Sequence, residues 1–147
     1  MLRRRFLNAK CCALLFLFLA SGNCHAADDE ISVIVNPSVN QVALSQNTLR
    51  AIFGMRMRVW PDGQPIRVFV LADDDPLHIR FCKTVLQVFA HQMRSAWDRG
   101  VFSGTGQAPT LVGSELELVQ LVASTPGGIG YAMGSSIDDR MVELDVR

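Results

Sequence analysis

The sequence predicts a single α/β domain built on a small, mainly parallel sheet. Two runs rich in β-branched and aromatic residues, Ile31-Ser-Val-Ile-Val35 and Ile66-Arg-Val-Phe-Val-Leu71, read as buried strands. Between and beyond them, apolar residues recur at helical spacing, and each such stretch opens on a start signal: Ser45, Asp75-Pro76, or Ser114-Glu-Leu-Glu117. Strands alternating with helices are the pattern of a sheet covered by crossover helices.

In chain order, Asn36-Pro37-Ser38 ends the first strand and a polar loop leads to Ser45, whose hydroxyl suits an N-cap. Leu49, Ile52 and Phe53 then form one apolar stripe, and Gly54 is expected to supply the left-handed residue that stops the helix. A basic connector, Met55-Arg-Met-Arg58, precedes Trp60 and the tight turn Pro61-Asp62-Gly63. After the second strand, Asp75 caps a helix with Pro76 in its first turn. Leu77, Phe81, Val85, Val88 or Phe89, Met93, Ala96 and Trp97 continue a stripe, read as two helices meeting at a bend over Gln87 to Ala90. Gly100, Gly104, Gly106 and Pro109 make a loop under which Phe102 is expected to tuck. The capping box Ser114 to Glu117 opens a helix to about Ser124, with Leu118, Leu121 and Val122 inward. Pro126-Gly127-Gly128 turns into a short strand at Ile129-Gly130-Tyr131, and Met141 to Val146 alternates weakly as a last strand.

The first 26 residues have a different character. Arg3, Arg4, Arg5 and Lys10 precede an apolar run from Cys11 to Ala20, followed by small and polar residues to Ala26. That is the layout of a secretory signal peptide, and the run is shorter than the roughly 20 residues a membrane span needs. Cleavage is expected after Ala26, which makes residues 27–147 the mature domain and the periplasm its compartment. Acylation at Cys24 is the rival, disfavoured by Asn23 just before it. Removing the leader leaves ten basic residues against fourteen acidic ones, a mildly acidic balance that does not suit nucleic acid. Cys82 is then the one remaining cysteine, so no internal disulfide is expected, and no later apolar run is long enough to span a bilayer.

Signatures of catalysis are scarce. No Gly-x-x-x-x-Gly-Lys loop is present, and the glycines at 104–106 and 127–130 lack the strand-then-helix setting that phosphate loops need. His78 and Cys82 stand at i, i+4, a spacing that could hold a metal, but two ligands make a poor site. A buried thiol beside a half-exposed imidazole is the plainer reading; His91 is expected to be solvated. No catalytic residue, metal or cofactor is assigned. The acidic run Asp73-Asp74-Asp75 has two readings: a helix cap in a favourable dipole field, or a corner that binds a cation or a partner.

Taken together, the strand ending in Asn36-Pro37, the helix end Leu49-Arg-Ala-Ile-Phe-Gly54, Trp60, Trp97, Phe102-Ser-Gly104, Pro109 and Pro126-Gly-Gly-Ile-Gly-Tyr131 resemble, in order and spacing, the periplasmic phosphate-binding proteins of ABC transporters. The resemblance lies with small stand-alone members, covers roughly residues 31–133, and implies one lobe of a type 2 periplasmic-binding fold. In that family an Arg and a Ser-Gly-Thr turn hold phosphate at the helix start after the second strand, a place suited to anions. The matching residues here are Leu71-Ala72-Asp73-Asp74-Asp75-Pro76: the hydroxyls are gone, Pro76 removes an N–H, and three carboxylates repel an anion.

Two functions follow as expectations. One is binding of a small oxyanion or other solute at loop ends formed by Asn36, Ser38, Asp73, Asp74 and Asp75. The other is a non-transport interaction module that partners an envelope transporter or sensor. An enzyme is not expected, for want of any motif that a catalytic site would need.

Overall fold

The computed structural model describes residues 30–147. The expected leader, its cleavage point and Cys24 lie outside the described residues. Among the described residues six strands form one sheet: β1 (Ile31–Val35), β2 (Ala43–Leu44), β3 (Arg67–Val70), β4 (Thr110–Leu111), β5 (Gly128–Met133) and β6 (Val142–Val146), in the spatial order β2-β6-β1-β5-β3-β4. β2 pairs parallel with β6, and β3 pairs parallel with both β4 and β5. β1 runs antiparallel to both of its neighbours, with Ile31 opposite Met133 and Val35 opposite Ile129. Five strands therefore point one way and central β1 alone opposes them, which makes the sheet mainly parallel. β2 and β4, two residues each, are too short to leave a pattern in the sequence.

Among the described residues four α-helices cover the sheet: α1 (Gln46–Phe53), α2 (Pro76–Phe81), α3 (Ala90–Phe102) and α4 (Glu115–Ser124). A π-helical turn, Cys82–Leu86, continues α2, and Gln87 in the left-handed conformation (φ 53°) breaks the run before α3. The bend falls where the sequence placed it. Burial of both sheet faces explains the unbroken apolar runs in β1 and β3. Tyr131 of β5 lies at the centre, stacked on Phe81 at 4.0 Å between ring centroids, and Phe81 in turn meets Phe53 edge-on at 4.8 Å.

Both tryptophans are 2% exposed and each indole N–H is used. Trp60 Nε1 donates to Gly127 O at 3.1 Å, and Trp97 Nε1 to Phe53 O at 2.7 Å. Gly127 (φ 74°) shows why glycine is required in that turn: a Cβ there would sit 2.2 Å from the Pro65 carbonyl oxygen.

Several local expectations need correcting. Gly54 is not left-handed (φ −76°); Met55 (φ 59°) takes that conformation one residue later. Gly100 belongs to α3, and Phe102, the last residue of that helix, is 89% exposed rather than tucked under a loop. On α4, Val119 is buried and Leu121 only partly, because the sheet lies against the 118–119–122 face. Glu117 reaches back past the N-cap, its Oε2 accepting from Gly113 N at 2.8 Å.

Candidate functional site

Because five strands point one way, their carboxyl ends share one edge of the sheet. In open α/β sheets this is the edge where ligands bind. Three helices start from it, and each start is closed by a side chain of its own. Ser45 Oγ accepts from Thr48 N at 3.1 Å, and Ser114 Oγ from Glu117 N at 3.2 Å. Asp75 Oδ1 accepts from Leu77 N at 2.8 Å and His78 N at 3.3 Å.

The carboxylates do more than cap. Glu115 Oε1 accepts from Met133 N, at the end of β5, at 2.7 Å. With Glu117 on Gly113 N, three carboxylates occupy backbone donors on this edge that an oxyanion would otherwise use. Asp73 points elsewhere: both its oxygens are held by Arg94, at 2.6 Å from Nε and 2.9 Å from Nη2, and Arg94 also lies over the Trp97 ring at 5.1 Å. Arg94 is thus a cation that grips the acidic run, through Asp73. Arg94 is 21 positions away and beyond a helix break, so no local spacing signalled it. Asp74 is exposed.

The other two candidate residues lie at the opposite end. β1 runs against its neighbours, so Asn36, just past its end, sits beside the start of β5. Asn36 is buried; its Nδ2 donates to Val122 O at 2.9 Å and Ala123 O at 2.8 Å, and its Oδ1 accepts from Ser38 N. Ser38 Oγ accepts from Gly127 N at 3.0 Å and pairs with Gln64. Both side chains latch the α4–β5 turn. Asn36 and Ser38 are thus not brought together with Asp73, Asp74 and Asp75, and the single ligand pocket expected from all five residues is not formed.

The His78–Cys82 pair also resolves differently. His78 is 1% exposed, not half-exposed. Its Nδ1 lies 2.6 Å from Tyr131 Oη, which also accepts from Leu71 N at 2.9 Å, and its Nε2 lies 3.5 Å from Cys82 Sγ. The buried Tyr131 hydroxyl hydrogen needs an acceptor, Leu71 N can only donate, and Nδ1 is the acceptor in reach, which places the ring proton on Nε2, facing the sulfur. Burial lowers the His78 pKa, with Asp73 and Asp75 opposing and Arg94 reinforcing the shift. Burial, helped by the Asp73 charge, pushes the Cys82 thiol up to about 12. This is a closed, neutral network with an inert thiol. Among the described residues no group of three or more His, Cys, Asp or Glu is placed to hold a metal, and no helix is long and apolar enough to cross a membrane.

No family model and no curated protein matches the sequence. Solved structures do match the fold. An ABC-type phosphate transport receptor from Vibrio cholerae aligns with a TM-score of 0.62 and 15% identity over 80% of this chain and 46% of its own. A protein of Clostridium perfringens solved with bound phosphate, described as a phosphate ABC transporter substrate-binding protein, gives 0.65 and 17% over 80% and 45%. PstS from Borrelia burgdorferi gives 0.62 and 18% over 81% and 47%. The chain therefore has the fold of these binding proteins and spans less than half of their length. The Vibrio and Clostridium neighbours are described as phosphate transport proteins.

Proposed function

We propose that this chain is an exported, single-lobe module of the periplasmic-binding fold that partners another envelope protein and does not carry phosphate. The observation that carries this reading is the occupied carboxyl edge: Asp75, Glu115 and Glu117 sit on the backbone donors at the ends of β3, β5 and β4. An incoming anion would have to displace carboxylates that are covalently tethered, and would meet their charge as it did so. The leader-like residues 1–26 support export, with a mature chain starting at Ala27. A second reading, oxyanion binding as in a solute-binding protein, is favoured by the fold neighbours, one of which was solved with phosphate.

Calorimetry with inorganic phosphate near pH 7 separates the two, using the wild type and the combined variant Asp73→Ser, Asp74→Gly, Asp75→Thr. The wild type is expected to bind no tighter than millimolar. Micromolar binding would overturn the module reading and restore solute binding. Crosslinking in intact cells followed by purification is expected to bring down one envelope protein in constant ratio.

A further inference from the structure

A second feature lies where α1 ends against α3. Two adjoining pockets of about 290 and 350 Å³ share Gly54, Arg56 and Ala96 and together form one groove. Arg58 lines one end, Arg50 and Arg99 the other, and no Asp or Glu lines either pocket. In a chain whose residues 27–147 are net acidic, four guanidinium groups around one groove make a strong local reversal of charge.

Arginines near a helix C-terminus often serve only to satisfy its last carbonyls. That explanation does not apply to α1. Arg50 O accepts from Gly54 N, Ala51 O from Arg56 N and Met57 N, Ile52 O from Met55 N, and Phe53 O from Trp97 Nε1. The final turn is complete without any guanidinium. Arg56, Arg58 and Arg99 are exposed, and among the described residues none of the three takes part in an ion pair. Arg50 is anchored, its Nε donating to Leu86 O, which fixes one guanidinium at the groove wall. Thr105 and Gln107 add neutral donors at the Arg58 end. Gly100 and Gly106 hold that wall by close backbone approach, with Gly106 N donating to Gly100 O at 2.9 Å.

We propose that this groove binds a small multivalent anion carrying two or more phosphate or carboxylate groups. Guanidinium forks suit both groups, and a cleft lined by one sign of charge concentrates the opposite sign. A single unit charge would leave most of the four cations uncompensated, so multivalency is part of the proposal. The groove is separate from the carboxyl edge, and the proposal stands or falls independently of the function proposed above.

The test is calorimetry with inorganic tripolyphosphate, citrate and inorganic phosphate on the wild type, on Arg56→Gln/Arg99→Gln, and on the Asp73/Asp74/Asp75 triple variant. Tripolyphosphate or citrate is expected to bind one per chain, at least about tenfold tighter than phosphate. The arginine double variant is expected to lose at least about tenfold, since each charge-assisted contact contributes that much. The triple acidic variant keeps the affinity. Amide shifts on tripolyphosphate or citrate addition should centre on Gly54, Gly100 and Gly106. Binding of neither multivalent probe, equal binding of phosphate, indifference to the arginine variant while its circular dichroism is unchanged, or stoichiometry well above one would each overturn the proposal.

Discussion

At the scale of single residues, the core's chemistry is set by one hydroxyl. Tyr131 Oη satisfies Leu71 N and, through its own hydrogen, fixes His78 as the neutral Nε2–H tautomer. Protonating His78 would put a second donor against that hydroxyl hydrogen inside a packed aromatic cluster. The folded-state pKa is accordingly depressed by burial. Below about pH 6.5, the ordinary histidine value, the unfolded chain takes up a proton that the folded chain refuses. The stability at stake is fully present above that value and falls as pH drops through it, by up to about 1.4 kcal/mol per pH unit. Urea unfolding between pH 7.5 and 5 is expected to give this slope, and His78→Gln should flatten it. An unchanged slope in the variant would mean that His78 is not the responsible group. The sequence showed the i, i+4 pair of His78 and Cys82 but not its depth. Tyr131 is 53 positions from His78, and no local spacing reveals a partner across the sheet.

Elements were legible where their information is local. Ser45, Asp75 and Ser114 cap the helices they were expected to cap, because an N-cap hydrogen bond joins residues two or three apart. Phe102 and Leu121 were misplaced because periodicity names an apolar face without saying which neighbour covers it. The candidate site failed for a related reason: the direction of β1 is a property of the sheet, and it sends Asn36 and Asp73 to opposite edges. Trp60 and Trp97 act as anchors, one fastening the 60–64 turn to Gly127, the other α3 to the end of α1. Replacing either by Ala is expected to cost about 3–5 kcal/mol, from lost packing and an orphaned carbonyl. Denaturant midpoints of the two variants measure this; a loss below about 1 kcal/mol would show that the site repacks freely.

At the scale of the whole molecule, the question is whether one lobe spanning less than half the length of its structural neighbours folds as one unit. The packing argues that it does. Phe53, Phe81 and Tyr131 tie α1, α2 and β5 into one aromatic stack, and the buried apolar residues form one contiguous cluster from Ile31 to Leu144. The two indoles report on opposite parts of it: Trp60 on the amino end of β3 and β5, Trp97 on α3, the long helix facing the arginine groove. If the cluster is one cooperative core, Trp60→Phe and Trp97→Phe each leave a single fluorophore whose transition coincides with far-ultraviolet circular dichroism of the same variant. Each should give one midpoint and one m-value by both probes, with m near 1–3 kcal/mol/M in urea. A Trp97 signal lost at lower urea than the dichroism, while the Trp60 signal stays coincident, would mean that α3 detaches before the sheet unfolds. The groove walled by α3 would then be a low-stability face, and its affinity for multivalent anions would rise with any substitution that fastens α3 to α1.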